Sequence, residues 1–258
     1  PAGDFRTSYA ADTTVFPTAT SRNAMIAGIV LVCFAPHVVN EYVLSLLIQI
    51  GIFGIAALGL NIVVGFTGQI SIGHAAFFGF GAFTSAYLSN RFGIPVFFCI
   101  PLAGVVTAAV GLVFGLPAAR LKGLYLAIAT LAAQYILLDF FARAEWFTGG
   151  SVPASAEPFS IFGYMLRGDK QYFYVVLAYV VVCYLLVTNL IRSRDGRALV
   201  AVRDHYLSAE MMGINLAYYR TLSFGIASFY AGIAGALYAH YLLFVSVEAF
   251  NILFSIQF

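Results

Sequence analysis

The feature that most constrains this chain is a series of long apolar segments separated by short polar ones. A helix needs about 20 mostly apolar residues to cross a bilayer, because each residue adds about 1.5 Å of rise. Seven segments approach or reach that length: 24–39, 42–65, 75–89, 95–119, 123–141, 172–191 and 221–243. They predict an all-α, polytopic transmembrane helical bundle of about seven spans.

The composition excludes several other classes of protein. Hydrophobic residues make up 62% of the chain, and charged residues make up only 9%. So few charges cannot cover the surface of a water-soluble domain. A formal net charge of +2 is also too small for a nucleic-acid-binding surface. Cys33, Cys99 and Cys183 lie in apolar runs without a neighbouring His or Cys at ligand spacing, so we expect neither a disulfide nor a metal site.

The distribution of Lys and Arg predicts the orientation of the chain in the membrane. With the N-terminus in the cytoplasm, nine basic residues fall in cytoplasmic segments and four in external segments. We therefore expect residues 1–22 to form a polar cytoplasmic tail and residues 23–258 to form the transmembrane domain. The apolar stretch 252–258 has no closing polar segment, so we expect this domain to continue beyond it.

One segment between the second and third spans is too polar for a plain lipid-facing helix. Residues 65–74 read GFTGQISIGH, with three glycines and four polar side chains. Irregular backbone inside a membrane is tolerated only where protein or water satisfies its amides, and such broken helices aim N–H dipoles at solutes. We predict a broken or re-entrant segment that lines a translocation path; the alternative is a tight cytoplasmic turn. The path candidates in this segment are Gly65, Thr67, Gly68, Gln69, Ser71, Gly73 and His74.

Two polar residues of the fifth span, Thr130 and Gln134, are also path candidates. They are four residues apart and therefore share one helix face. Polar residues in this position more often form hydrogen bonds between helices than contact a solute. His74 is a possible proton carrier, although a hydrogen-bonded structural role is the commoner one for a single histidine.

The most charged stretch of the chain, residues 192–220, is predicted to be a cytoplasmic loop. Asp195 is a candidate N-cap, Gly213 suits the position after a helix C-terminus, and Asn215 can cap the next helix. An apolar face between them has helical spacing: Leu199, Val202, Tyr206 and Ala209. The pattern predicts one short amphipathic helix. It either docks a cytosolic partner, which its mixed charge favours, or lies in the headgroup layer.

Three ordered runs of this sequence resemble the LivM-type permease subunits of bacterial branched-chain amino-acid ABC importers. The resemblance covers most of the chain from about residue 50. The runs are 65–79, 121–131, and a third that extends from 196–198 through 203–204 and 212–215 to 231–237. The resemblance implies a permease subunit for branched-chain or other small amino acids, or for related solutes such as urea and amides, working by alternating access.

The resemblance also implies a set of partners in a bacterial cytoplasmic membrane. These are two cytosolic ATPase subunits, a second, LivH-like permease subunit and an extracytoplasmic substrate-binding protein. No GxxxxGK[ST] motif occurs in the sequence, so we expect no cofactor on this chain and ATP-Mg on the ATPase subunits. Carried over by position, the ATPase-coupling residues are Arg197, Arg203, Asp204, Glu210 and Gly213.

Two other classes of function remain open from the sequence. A stand-alone proton-linked secondary transporter or solute channel would use His74, Asp139 and Glu145 as its proton-linked groups. An intramembrane serine hydrolase would have to pair Ser71 with His74 or His240. The leading hypothesis assigns no catalytic residue and makes the chain a non-enzymatic subunit.

Overall fold

The computed structural model describes residues 19–121, 123–149, 154–161, 164–165 and 168–256, which are mostly helical. The helices are α1 (Ala19–Val38), α2 (Glu41–Asn61), α3 (His74–Phe92), α4 (Val96–Ala118), α5 (Leu124–Arg143), α6 (Glu145–Thr148), α7 (Asp169–Arg192), α8 (Arg194–Asp204), α9 (Tyr206–Met211), α10 (Leu216–Leu242) and α11 (Ile252–Ile256). A π-helical turn (Ile62–Phe66) extends α2, and a 3-10 turn (Val247–Phe250) precedes α11. The strands are β1 (Ala154–Ser155), β2 (Ser160–Ile161), β3 (Tyr164–Met165) and β4 (Phe244–Val245). Residues 1–18 of the expected tail lie outside the described residues.

Five described helices are long and apolar enough to cross a membrane. They are Glu41–Phe66, Val96–Ala118, Leu124–Arg143, Asp169–Arg192 and Leu216–Leu242. The chain is therefore a multi-pass, all-α membrane protein, as predicted, but the count of seven spans is not confirmed. The first predicted span forms a helix whose apolar part, Arg22–Val38, is shorter than 18 residues.

The third predicted span forms α3, which is too polar to qualify as a span. Its position explains the difference, because most of its residues are buried and it packs against α10, α4 and α5 rather than facing lipid. Its hydroxyl groups are satisfied inside the bundle. Thr84 Oγ1 donates to the Phe80 carbonyl at 2.7 Å, and Ser89 Oγ donates to the Ala86 carbonyl at 3.1 Å. The buried position of α3 allows the polar and small residues that lower its mean hydropathy.

The bundle is built around α10, which packs against α2, α3 and α4. Glycine brings the backbones of α3 and α10 into close contact where these helices cross. A Cβ atom added to Gly235 would overlap the carbonyl oxygen of Phe78, and one added to Gly81 would overlap the backbone of Gly232. Helices in lipid associate through such close packing, because apolar burial alone gives little drive between them.

The connecting segments define two ends of the bundle. At one end α2, α4 and α7 finish, α5 and α10 begin, and α8 and α9 lie across the helix ends. Arg203 Nη1 donates to the Gly65 carbonyl at 2.7 Å there, and Arg220 Nη1 donates to the Ala119 carbonyl at 3.3 Å. We call this the basic end, since its arginines are Arg120, Arg192, Arg194, Arg197, Arg203 and Arg220.

At the opposite end, the described part of the segment between α6 and α7 contacts the bundle. β1 pairs antiparallel with β4, directly after α10. Asn90 Nδ2, near the end of α3, donates to the Ser155 carbonyl at 2.5 Å. These contacts fasten the connecting segment to the ends of α3 and α10.

The close packing of α3 on α10 predicts the effect of two matched substitutions. Gly235→Ala should lower stability in detergent by about 1–3 kcal/mol, the range for overpacking, because the new methyl group meets backbone. Gly54→Ala is the control, since nothing lies within 4 Å of its Cβ position. It should be neutral or stabilising, because Ala is the better helix former. Thermal unfolding followed by size-exclusion chromatography measures both. Equal stability of the two variants would contradict the packing described here.

Candidate functional site

The segment 65–74 leaves helical geometry at the basic end. The π-helical turn is followed by Thr67, and helix resumes only at His74. Gly68 has a φ of +65°, a left-handed conformation that costs a side-chain-bearing residue about 1–2 kcal/mol. A Cβ atom at Gly68 would also lie 3.0 Å from Arg203 Cγ. Glycine at this position thus allows both the turn and the close approach of Arg203.

The other end of this segment lies deep inside the bundle. His74 Nε2 is 3.0 Å from the Ala56 carbonyl oxygen, and Ala56 lies ten residues, or about 15 Å, before the end of its span. Gln134, which bonds the backbone of Ala76, lies ten residues, or about 15 Å, after the start of α5. Both distances are counted from the basic end of the bundle. The segment therefore enters the bundle as non-helical backbone that α3 continues, so it is a broken crossing and not the tight turn that was the alternative. We call residues 65–74 the re-entrant segment for this entry into the bundle.

A second segment, residues 244–256, enters the bundle from the opposite end. We call this segment and the re-entrant segment the two arms. After α10 the chain reverses direction through β4 and the 3-10 turn, and α11 follows. The ring of Phe250 packs on Phe78, with the two ring centroids 6.0 Å apart. Ser255 Oγ accepts from the Ala75 amide at 3.3 Å and donates to the Ile72 carbonyl. The two arms thus meet inside the bundle, where Ser255 joins them.

Thr130 and Gln134 hold the backbone of both arms. Thr130 Oγ1 accepts from the Ile72 amide at 3.0 Å. Gln134 Oε1 accepts from the Ala76 amide at 2.9 Å, and its Nε2 donates to the Phe250 carbonyl at 2.9 Å. The Gln134 side chain is fully buried. Gln134 therefore forms the interhelical hydrogen bond that the sequence favoured, whereas Thr130 bonds the non-helical segment. Both side chains replace water for backbone groups inside the bundle.

Gln69 is the centre of a buried polar network at the basic end. Its Nε2 lies 2.7 Å from Thr67 Oγ1 and 2.8 Å from Ser223 Oγ. Thr67 donates its own proton to the Val63 carbonyl and Ser223 donates to the Arg220 carbonyl, so both hydroxyls accept from the amide. This direction fixes the orientation of the amide. It leaves Gln69 Oε1 buried without a hydrogen-bond donor among the described residues, at a cost of about 1–3 kcal/mol.

Residues 192–220, which we call the coupling segment, contain two helices where the sequence predicted one amphipathic helix. α8 and α9 are separated at His205, whose φ of −147° is extended. The N-cap of α8 is Ser193 and not Asp195, because Ser193 Oγ accepts from the Gly196 amide at 3.2 Å. The predicted apolar face is buried at Leu199 and Val202 before the break and at Ala209 after it, whereas Tyr206 at the break is exposed.

The predicted end of this segment is confirmed in detail. Gly213 has a φ of +86°, and its amide donates to the Glu210 carbonyl at 3.0 Å. The Ile214 amide donates to the Ala209 carbonyl at 3.0 Å, which completes a Schellman motif. Asn215 then caps α10, since its Oδ1 accepts from the Tyr218 amide at 3.1 Å.

Arg203 connects the coupling segment with the re-entrant segment. Its guanidinium donates to the Gly65 carbonyl, and its Nε lies 2.9 Å from Asp204 Oδ1. The Asp204 pair is solvent-exposed and contributes little to stability. The bond to Gly65 matters more for position, because it ties α8 to the π-helical turn. Thus one predicted coupling residue contacts one predicted path residue directly.

The remaining coupling candidates are exposed, and the same stretch of chain contains an exposed apolar patch that the sequence analysis missed. The patch consists of Leu207, Met211 and Met212, which are 61%, 88% and 86% exposed. Glu210 lies on the same helix and is also exposed. Flexible methionines are common on protein-binding surfaces. The sequence signal for this patch was the presence of three large apolar residues in the most charged loop of the chain.

Three residues of the two alternative hypotheses, His74, Asp139 and His240, have hydrogen-bond partners in the bundle. His240 Nε2 lies 2.7 Å from Ser85 Oγ and its Nδ1 lies 2.7 Å from the Glu157 carbonyl oxygen, so the proposed pairing of His240 with Ser71 is wrong. Asp139 forms an exposed ion pair with Arg143 at 2.9 Å, one helical turn away. The pairing of Ser85 with His240 was missed because 155 residues separate them.

The fold and site define a class: a multi-pass helical membrane protein in which two re-entrant arms meet, with short polar helices bonded to one arm. Residues 42–258 match the family described as branched-chain amino acid transport system / permease component. The chain belongs to this family.

Three relatives carry related names. The chain is 32% identical over 251 residues to the high-affinity branched-chain amino acid transport system permease protein LivM of Escherichia coli, and equally to that of Salmonella typhimurium. Each alignment covers 88% of this chain and 59% of the relative. It is 28% identical over 155 residues to a probable branched-chain amino acid transport permease protein LivM of Methanocaldococcus jannaschii, covering 59% of this chain and 44% of that one. The chain thus spans less than two thirds of these relatives. No solved structure matches it.

The role of Gln134 predicts a local effect of its replacement. Gln134→Leu leaves the Ala76 amide and the Phe250 carbonyl without partners, at a cost of about 1–3 kcal/mol each. Amide hydrogen exchange in residues 70–78 should therefore accelerate about tenfold or more. Gln49→Leu in α2 is the control, because the Gln49 side chain forms no hydrogen bond with another described residue. Unchanged exchange in Gln134→Leu would show that this side chain does not hold the arms.

Proposed function

We propose that the chain is the permease subunit of an ATP-driven importer. Its solutes would be branched-chain or other small amino acids, or related small solutes such as urea and amides. The family supports this proposal, as do the names of relatives that cover most of the chain. In this proposal the basic end faces the cytoplasm of a bacterial inner membrane, since the arginines concentrate there.

The proposed partners divide between the two ends. Two cytosolic ATPase subunits, which hold ATP-Mg, dock at α8 and α9. An extracytoplasmic binding protein delivers solute at the opposite end, and a second, LivH-like permease subunit completes the path. The exposed patch of Leu207, Met211 and Met212 supports docking at α9, because it lies among charged loop residues rather than on a transmembrane helix.

The observation that carries the proposal is the hydrogen bond from Arg203 to the Gly65 carbonyl. Any movement of α8 pulls on the π-helical turn and therefore on the re-entrant segment behind it. Gln69 lies at that point, and its side-chain oxygen has no hydrogen-bond donor among the described residues. A modest displacement that brings a donor to this oxygen therefore recovers part of the free energy that the displacement costs. The network of Thr67, Gln69 and Ser223 is thus suited to exist in two arrangements, as alternating access requires.

The re-entrant segment supplies the chemistry for an amino-acid solute in this proposal. The amino end of α3 carries a partial positive charge inside the bundle, where it favours a carboxylate. In the structure Ser255 and Gln134 accept from the Ala75 and Ala76 amides. Opening of the arms would free these donors for the solute, with Ser71, Gly73 and His74 beside them.

The contact of Arg203 with Gly65 yields a test of coupling. Arg203→Ala should reduce ATP-dependent uptake about tenfold or more, because it removes a charge-assisted hydrogen bond worth about 1.5–3 kcal/mol. Recovery of the ATPase with the permease should stay at the wild-type level, as the docking patch is intact. Arg194→Ala, which removes an exposed charge from the same helix, should leave uptake unchanged. Normal uptake in Arg203→Ala would contradict the coupling role. Uptake driven by a proton gradient without ATP would favour the secondary transporter instead.

The apolar patch of α9 yields a test of docking. Met212→Glu places a charge where an apolar contact is proposed and should abolish most co-purification of the ATPase. Met212→Leu keeps an apolar side chain and should retain it. Both variants should insert in the membrane equally, since Met212 is 86% exposed and supports no packing. Equal ATPase recovery from both variants would place the docking surface elsewhere.

A further inference from the structure

A cleft at the basic end has no part in the docking and transport proposed above. It lies between the end of α4 and the start of α10 and has a volume of about 910 Å³. Its walls are apolar and include Leu112, Leu116 and Leu222. It opens to the outside of the bundle, as Leu116 is 62% exposed. The volume falls within the range of about 300–1,000 Å³ that is typical of ligand pockets.

The position of the cleft matches the boundary between headgroups and hydrocarbon. α4 ends at Ala118 and α10 begins at Leu216, so the mouth lies where two transmembrane helices finish. Leu112 lies six residues before the end of α4, or about 9 Å deeper along the helix. An elongated apolar group can therefore extend from the mouth toward the hydrocarbon layer.

The mouth is positively charged. The cleft is lined there by Arg120, Asn215 and Tyr218. Arg120 is exposed, and no described residue accepts a hydrogen bond from its guanidinium. Arg220, which donates to the neighbouring Ala119 carbonyl, adds a second positive charge nearby. The described lining contains no Asp or Glu to neutralise either arginine.

We propose that this cleft binds an anionic phospholipid of the adjacent leaflet. The phosphate lies against Arg120 at the mouth, and an acyl chain lies along Leu112, Leu116 and Leu222. Basic sites between transmembrane helices recognise anionic headgroups in this way, and the attraction adds to apolar burial. The inference does not depend on the transport function proposed above.

Native mass spectrometry of the chain purified in a mild detergent tests this site. Phosphatidylglycerol and phosphatidylcholine with identical acyl chains are the probes. The wild type should retain phosphatidylglycerol about fivefold more tightly, the effect of roughly one basic residue. Arg120→Gln should remove that preference, whereas Arg194→Gln, at an exposed arginine of the same end outside the cleft, should keep it. Equal retention of both lipids by the wild type, or equal loss in both variants, would overturn the proposal.

A second variant tests the apolar part of the cleft. Leu116→Trp projects a larger side chain into the opening and should reduce retention of both lipids, with an unchanged elution profile as the folding check. Free glycerol phosphate, which lacks acyl chains, should not compete with phosphatidylglycerol. Effective competition would assign the site to a soluble phosphate compound. A cross-link from Leu116→Cys to another protein subunit would assign the cleft to a protein contact.

Discussion

The structure depends on the satisfaction of backbone hydrogen bonds inside an apolar bundle. Two segments enter that bundle without regular helical bonding, and each unsatisfied amide or carbonyl there would cost several kcal/mol. Thr130, Gln134 and Ser255 supply the missing partners, each at the backbone of an entering arm. Irregular backbone is therefore possible in the interior only because three polar side chains of distant segments reach it.

The same constraint explains how the basic end is connected with the interior. α8 is held to the π-helical turn by Arg203, and that turn leads directly into the re-entrant segment. Gln69 lies at the junction, bonded to Ser223 of the central helix. A displacement of α8 thus acts on a segment whose bonds come from side chains, which can exchange partners more readily than a regular helix. This continuity relates the proposed docking surface of α9 to the site where the arms meet.

Local patterns predicted much of the fold. Five spans follow from apolar length, and the motif at Gly213 and Asn215 follows from conformational preference and capping chemistry. The shared face of Thr130 and Gln134 also follows from helical spacing. The helical break at His205 does not, because periodicity continues across it. The contact of Ser255 could not be predicted, because its partner Ile72 lies 183 residues away in the sequence. Local hydrophobic periodicity carries no information about contacts at that separation.

The central claim is that movement at α8 and α9 reaches the re-entrant segment through Arg203. Hydrogen exchange of residues 68–76 in the complex of the chain with its proposed ATPase subunits, with and without ATP, measures this most directly. The account predicts that ATP changes exchange in the wild type, and that the change disappears in Arg203→Ala although the ATPase remains bound. An ATP-dependent change of the same size in both proteins would contradict it, because the signal would then reach the interior by another route.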